Sequence, residues 1–239
     1  MGGLRYVNGH AGEAPVRANL SMGDTLAGLH AVIGSLMALW QRQKPGGKGQ
    51  VVDAAMVDGV PAMMGLIHAM LARGTWHEAR GANWLDGAAP FYRCYTCACG
   101  GFISVGALEP QFHALLLEHA DLPPAHHDDQ NDTSKWPART AEYASAFARK
   151  TRDEWAAVFA GSDACVAPVL TFAEARFHPH MAARQTFITP GGIAQAAPAP
   201  RFSRTAAAQP AAPTAIGADT QAVLAELGLN PEISSASTQ

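Results

Sequence analysis

Two carboxylates stand at places where acid–base chemistry is easy to set up. The stretch Asn19-Leu20-Ser21-Met22-Gly23-Asp24-Thr25 precedes an apolar run over 26–40, in which Leu26, Leu29, Ile33, Leu36, Met37 and Trp40 recur at three- and four-residue steps. That spacing predicts an amphipathic helix. Asp24 then lies in its first turn. Unpaired backbone N–H groups and the positive end of the helix dipole stabilise negative charge there, on a side chain or on a bound oxyanion. Ser21-x-x-Asp24 also resembles a capping box, and taken alone capping is the simpler reading. Glu109, in Glu109-Pro110-Gln111-Phe112, opens another predicted helix, with proline in its first position. Charge complementarity at a helix start would account for Glu109 as well.

These two helices sit in a chain of 239 residues, 48% hydrophobic and 15% charged, long enough for one large or two small globular domains. The net charge of −3 gives no electrostatic basis for binding nucleic acid or an anionic membrane. The first residues carry no signal-peptide core, and no apolar run reads as long enough to span a bilayer. Residues 1–19 read as an irregular lead-in. After the first helix comes the breaker cluster Lys44-Pro45-Gly46-Gly47-Lys48-Gly49, then a strand candidate over 50–55. A second helix is predicted over 56–73, with Met56, Met63, Met64, Ile67, Met70 and Leu71 near one face. Methionine adapts its shape, so such a stripe can line a site for varied acyl chains, although ordinary core filling explains it too.

A loop over 74–90 leads to two alternating segments, 91–97 and 102–107, around Gly100-Gly101, the signature of a β-hairpin. Further helices are predicted over 134–149, 152–159 and 172–177, with an extended piece over 164–170. Residues 194–215, rich in Ala and Pro, read as an extended connector before a last helix over 219–227, capped by Asp219. Cys94, Cys97 and Cys99 lie within six residues and Cys165 stands apart. This is no secreted disulfide framework, and a reduced, cytoplasmic protein is the expectation. Cys94-x-x-Cys97-x-Cys99 resembles half of a zinc site, but no second ligand pair follows at the needed spacing. His126-His127-Asp128-Asp129 reads as a solvated loop.

Taken together, Ser21-Met22-Gly23-Asp24 before an apolar helix and Gly46-Gly47-Lys48-Gly49-Gln50-Val51-Val52-Asp53 after it resemble the family III CoA-transferases, the CaiB/BaiF family. The downstream pieces resemble its α-methylacyl-CoA racemase branch. They are Arg80-Gly81-Ala82-Asn83, Leu85-Asp86-Gly87, Gly106-Ala107-Leu108-Glu109-Pro110-Gln111-Phe112, Ser162-Asp163-Ala164-Cys165-Val166, Pro168-Val169-Leu170 and Pro200-Arg201-Phe202-Ser203-Arg204. They run in order from Asp24 to Thr205, and their combination is specific. The resemblance implies Asp24 and Glu109 as catalytic groups and an acyl-binding surface of Met56, Met63, Met64, Trp84, Leu85, Tyr92 and Leu108. It implies no metal and no cofactor beyond the coenzyme A carried by the acyl-CoA substrate. It also implies an interlocked homodimer, in which the small domain of one subunit faces the large domain of the other.

Two features depart from that pattern. The N-terminal half of the family, with most CoA contacts and a partner histidine, is missing, and His10 in Asn8-Gly9-His10 does not match that histidine's motif. A separate N-terminal half is therefore a candidate partner, and an inactive truncated fragment is one reading of the chain. In addition, Asp24-Thr25-Leu26-Ala27-Gly28-Leu29-His30 looks more like the transferase branch, where the aspartate is a nucleophile carrying acyl and CoA intermediates. The stretch 81–90 holds only Gly81 and Gly87, unlike the mobile glycine-rich loop of formyl-CoA-type transferases. The expected architecture is α/β, a partial family III fold. It comprises a remnant of a Rossmann-like large domain over 1–85, a small α+β domain over 86–193, and a connector and helix over 194–239 returning to the large domain.

Overall fold

The computed structural model describes residues 8–17 and 21–229. Part of the predicted lead-in, including Asn19, lies outside the described residues, as does Leu20. The chain divides into two compact units, Met1–Val169 and Leu170–Gln239. The division falls within the segment 86–193, so its last part, from Leu170, groups with the C-terminal stretch.

The first unit opens with helix α1, Met22–Arg42, whose acidic Asp24 and basic Arg42 suit its two ends. No residue of α1 is buried, and Leu29, Ile33, Leu36 and Trp40 are each more than half exposed. This helix corrects one expectation. At 21 residues, with its charges at the two ends, it is long and apolar enough to cross a bilayer. A helix built to lie against a sheet passes the same test, because both need an apolar surface of that length.

The strand predicted over 50–55 does not form, since a strand needs a neighbour to pair with and Val51 is almost fully exposed. Val52 instead lies against α1 at Gly34, where a Cβ would come within 2.6 Å of its Cγ1. The single helix predicted over 56–73 is two: α2, Met56–Met63, and α3, Gly65–Ala72. Pro61 sits inside α2; it has no N–H to donate, and its ring clashes with the preceding turn. The break at Met64 divides the methionine stripe. Met64 is buried, whereas Met56 and Met63 are exposed. Helices α1 and α2 pack together, and His30 of α1 approaches the buried Gly59 of α2.

The α+β part of this unit is built on strands β1, Tyr92–Thr96, and β2, Phe102–Gly106, which form the predicted hairpin. The extended piece after it supplies β3, Val166–Pro168, antiparallel to β2, in the order β1-β2-β3. Alternation decides the faces: Ile103 and Val105 are buried, Phe102 and Ser104 exposed. The inner side chains join helices α4 (Pro110–Ala120), α5 (Trp136–Phe147) and α6 (Arg152–Val158) in one core containing Phe91, Leu116, Tyr143, Phe147 and Trp155. Aromatic contacts run through it: Tyr95 stacks on Phe147 at 5.1 Å, and Trp155 meets Phe147 edge-on at 5.2 Å.

The 126–129 segment is only in part the solvated loop expected, since His127 and Asp128 are exposed but its two ends are not. His126 is buried and Asp129 binds both Arg139 and Lys135, which together tie the loop to α5. Those two cations, acting through direct hydrogen bonds, hold the Asp129 carboxyl down at about 2.

In the second unit, α7, Phe172–Ala175, starts with a capping box between Thr171 and Glu174. Helix α8, Pro179–Ala183, and the two-residue strands β4 (Phe187–Ile188) and β5 (Gln195–Ala196) were not foreseen. From 197 to 215 the chain has no helix or strand. Helix α9, Thr220–Glu226, follows, and Asp219 occupies its N-cap position without a side-chain capping bond, contrary to the expected cap.

Candidate active site

Ser21 occupies the N-cap of α1 but makes no side-chain capping bond, so the predicted capping box is not closed. Thr25 N–H bonds back to Ser21 O at 3.0 Å, leaving the N–H groups of the first turn without intrahelical partners. Asp24, third in the helix, is exposed at the edge of a groove of about 750 Å³ lined by Ala27, Ala54, Ala55, Met56, Val57 and Val60. The Met56 thioether reaches across to Gly23, where a Cβ would lie 3.6 Å from the sulfur. A carboxylate beside free N–H donors and an apolar trough can take a proton from carbon, or attack a carbonyl, next to an apolar chain.

Glu109 is the N-cap of α4, with Pro110 in the first helical position as expected. It is exposed, and no side-chain capping bond occupies the cap. Its backbone oxygen accepts the His113 N–H at 2.9 Å, and the Cys165 thiol pKa is raised by burial first and then by the charges of Glu109 and Asp163. Glu109 does not line the Asp24 groove.

Of the residues implied for acyl binding, Met56 alone shares that groove. Tyr92 and Leu108 pack partly buried on the α+β core. Trp84 is exposed and Leu85 half-buried, on a loop fixed by Asn83 and Asp86. Asp86 accepts N–H bonds from Ala82 (3.1 Å), Asn83 (2.9 Å) and Ala88 (3.3 Å), and from Asn83 Nδ2 (2.8 Å). Asn83 is buried; its Oδ1 accepts the His77 N–H, and its Nδ2 also donates to the carbonyls of His77 and Ala79. Gly81 has a φ of +62°, and a Cβ there would lie 3.1 Å from Ala11 N, so glycine is required where the lead-in crosses the loop.

Other chemistry-bearing groups had no signal in the sequence. His113 is buried, its Nε2 2.9 Å from Tyr143 Oη, and it stacks with His127. A larger cavity of about 880 Å³, lined by His10, Asp86, Arg93, Cys94, Trp136 and Thr140 among others, includes neither Asp24 nor Glu109. Among the described residues, no group of three or more His, Cys, Asp and Glu is placed to hold a metal ion.

The chain thus presents an aspartate-led apolar helix, a loop ordered by Asn83 and Asp86, and an α+β domain with Glu109 at a helix N-cap position, and the family whose pattern it matches is CoA-transferase family III. The family's sequence pattern matches residues 1–220, and the chain belongs to that family. Within it, the chain is similar to mouse α-methylacyl-CoA racemase, with 41% identity over 97% of this chain and 61% of that protein. Mouse succinyl-CoA:glutarate CoA-transferase is 24% identical over 95% of this chain and 54% of its own length. The fold matches the crystal structure of a CaiB/BaiF family protein from Brucella suis with a TM-score of 0.73 at 22% identity, over 95% of this chain and 60% of that one. The chain thus spans about 61% of the length of the mouse racemase.

Proposed function

We propose that this chain is the larger part of an α-methylacyl-CoA racemase-like isomerase. The observation that carries the reading is the 41% identity to such a racemase along nearly the whole chain, against 24% to the transferase. In this reading one acid/base group removes the α-proton of a 2-methylacyl-CoA, and charge moves onto the thioester oxygen as an enolate. A second group returns a proton to the opposite face. Asp24 is one of these groups or its partner, and the unpaired N–H groups at the start of α1 suit the enolate oxygen. Glu109 is the second acid.

Its position away from the Asp24 groove fits an interlocked homodimer, in which the α+β domain of one subunit meets the α1–α2 pair of the other. Met56 and the Trp84–Leu85 loop would face the acyl chain. Proton transfer next to a thioester needs no metal or redox cofactor, coenzyme A being part of the substrate. A cytoplasmic enzyme of fatty acid metabolism is the corresponding setting. The remaining part of the family fold is needed to complete the site.

The test is the chain combined with that remainder, assayed for exchange of the substrate α-proton with solvent deuterium. Exchange is expected. Asp24→Asn, which keeps a good helix-start side chain, should cost about 1 kcal/mol of stability or less and slow exchange by roughly 10²–10⁴-fold. Covalent capture of CoA on Asp24 without exchange would establish the transferase reading instead.

A further inference from the structure

The cysteine cluster has no part in that chemistry. Cys97 ends the first arm of the hairpin, and Cys99 lies in the turn closed by the Gly100 N–H bonding to Cys97 O at 2.9 Å. The Cys97 N–H bonds to Gly101 O at 2.8 Å, and the Ala98 N–H to Lys150 O at 2.9 Å, which fixes the turn against the α5–α6 junction. All cysteines are free thiols; Cys94 and Cys99 are exposed, and Cys97 is buried. The Cys99 sulfur is nevertheless held. It accepts the Arg152 N–H at 3.4 Å and lies over Gly101, where a Cβ would sit 3.3 Å from it. The Arg152 side chain packs against Gly101 on the same side.

We propose that Cys97 and Cys99 are a redox-active dithiol that closes to a disulfide by exchange with a small-molecule disulfide, Cys99 attacking and Cys97 resolving. Hydrogen bonds from the backbone N–H groups of Arg152 and Gly101 lower the Cys99 thiol pKa, and burial raises that of Cys97, with Cys99 adding to the rise. The exposed member is therefore the better thiolate and the buried member is sheltered from outside reagents. In the first step the Cys99 thiolate forms a bond to one sulfur of RS–SR and expels RS⁻. In the second, the Cys97 thiol gives its proton to water and attacks the Cys99 sulfur, expelling the other RS⁻. Two protein thiols are oxidised to one disulfide, and RS–SR is reduced to two thiols.

Covalent reach permits the closure. Two residues on, Cα atoms are at most about 7 Å apart, and a turn brings them nearer, into the roughly 4.4–6.8 Å range of disulfides. So short a ring is strained and easily reduced, which suits reversible exchange.

The test treats the reduced 239-residue chain with oxidised glutathione under native conditions, followed by acid quenching, intact mass and peptide mapping. The expected product is lighter by two hydrogens and links Cys97 to Cys99. Cys97→Ser should stop at one glutathione on Cys99, and Cys94→Ser should behave as the parent chain. Cys99, whose sulfur accepts the Arg152 N–H, should react at least about tenfold faster than Cys94, which is also exposed. Glutathione on Cys94 with Cys97 and Cys99 still free would overturn the proposal, as would a lasting adduct on Cys99 in the parent chain. If Cys97→Ser does not fold, mapping of the parent chain decides alone.

Discussion

His113 is held as a neutral ring inside the α+β core. Burial first, then electrostatic repulsion from His127, Arg139 and His126, pushes its pKa down to about 4 from the ordinary 6.5. The unfolded chain therefore binds a proton between these values while the folded chain does not. Stability from this group is fully present above pH 6.5, falls as the pH drops through 6.5 toward 4, and levels off below. The full loss is about 3 kcal/mol. The lowered His126 adds to it in the same direction. Urea midpoints at pH 7, 5.5 and 4 should show the decline, and His113→Asn should be weaker at pH 7 yet show a flatter slope. An unchanged slope in that variant would place the titration elsewhere. At this scale the two carboxylates were legible because a helix start is a local signal, written in Ser21-x-x-Asp24 and Glu109-Pro110. His113 was not, because its burial depends on Tyr143, thirty residues further on.

Among elements, the loop before β1 shows how much order a stretch without helix or strand can carry. The Asp86 carboxylate gathers three backbone N–H groups and the Asn83 amide, and Asn83 binds back to 77 and 79. Trp84 and Leu85 ride on that knot. Asp86→Ala leaves the backbone N–H groups of Ala82, Asn83 and Ala88 without this acceptor, while Asn83 Nδ2 keeps the His77 and Ala79 carbonyls, at about 1–3 kcal/mol for each buried polar group so stranded. The expected result is a chain destabilised by about 2–3 kcal/mol, with faster amide exchange confined to residues 82–88. Destabilisation without local loss of protection would mean that Asp86 does not order the loop. The hairpin was legible from alternation around Gly100-Gly101, and α4 to α6 from their period. The break between α2 and α3 at Met64 was concealed by the methionine spacing on both sides. Strand-like Val51-Val52 failed because β propensity alone does not make a strand when no neighbour is present to accept its hydrogen bonds.

For the whole molecule the deciding fact is the contrast between two halves of the first unit. The core of the α+β part is closed, with Phe91, Ile103, Leu116, Tyr143 and Phe147 all essentially buried. The α1–α2 pair is open, with Leu29, Ile33, Leu36, Met37 and Trp40 exposed on a helix that has no fully buried residue. The apolar period made α1 predictable; what covers it was not, since one face of an amphipathic helix does not name its partner. Each of these side chains would gain roughly 1.5–3 kcal/mol on full burial. Three or four of them together match the roughly 5–15 kcal/mol that holds a domain folded. Such a face drives association. In sedimentation velocity the full chain should therefore run as oligomers, and Leu29→Lys with Leu36→Lys should shift it toward monomer without loss of helical signal. Residues 86–169 alone, carrying the closed core and none of the open helices, should be monomeric and unfold in one cooperative step. A full chain that stays monomeric at high concentration would show that the α1 face is covered in solution by the chain itself. A non-cooperative 86–169 piece would show that the α+β core depends on the helices it leaves exposed.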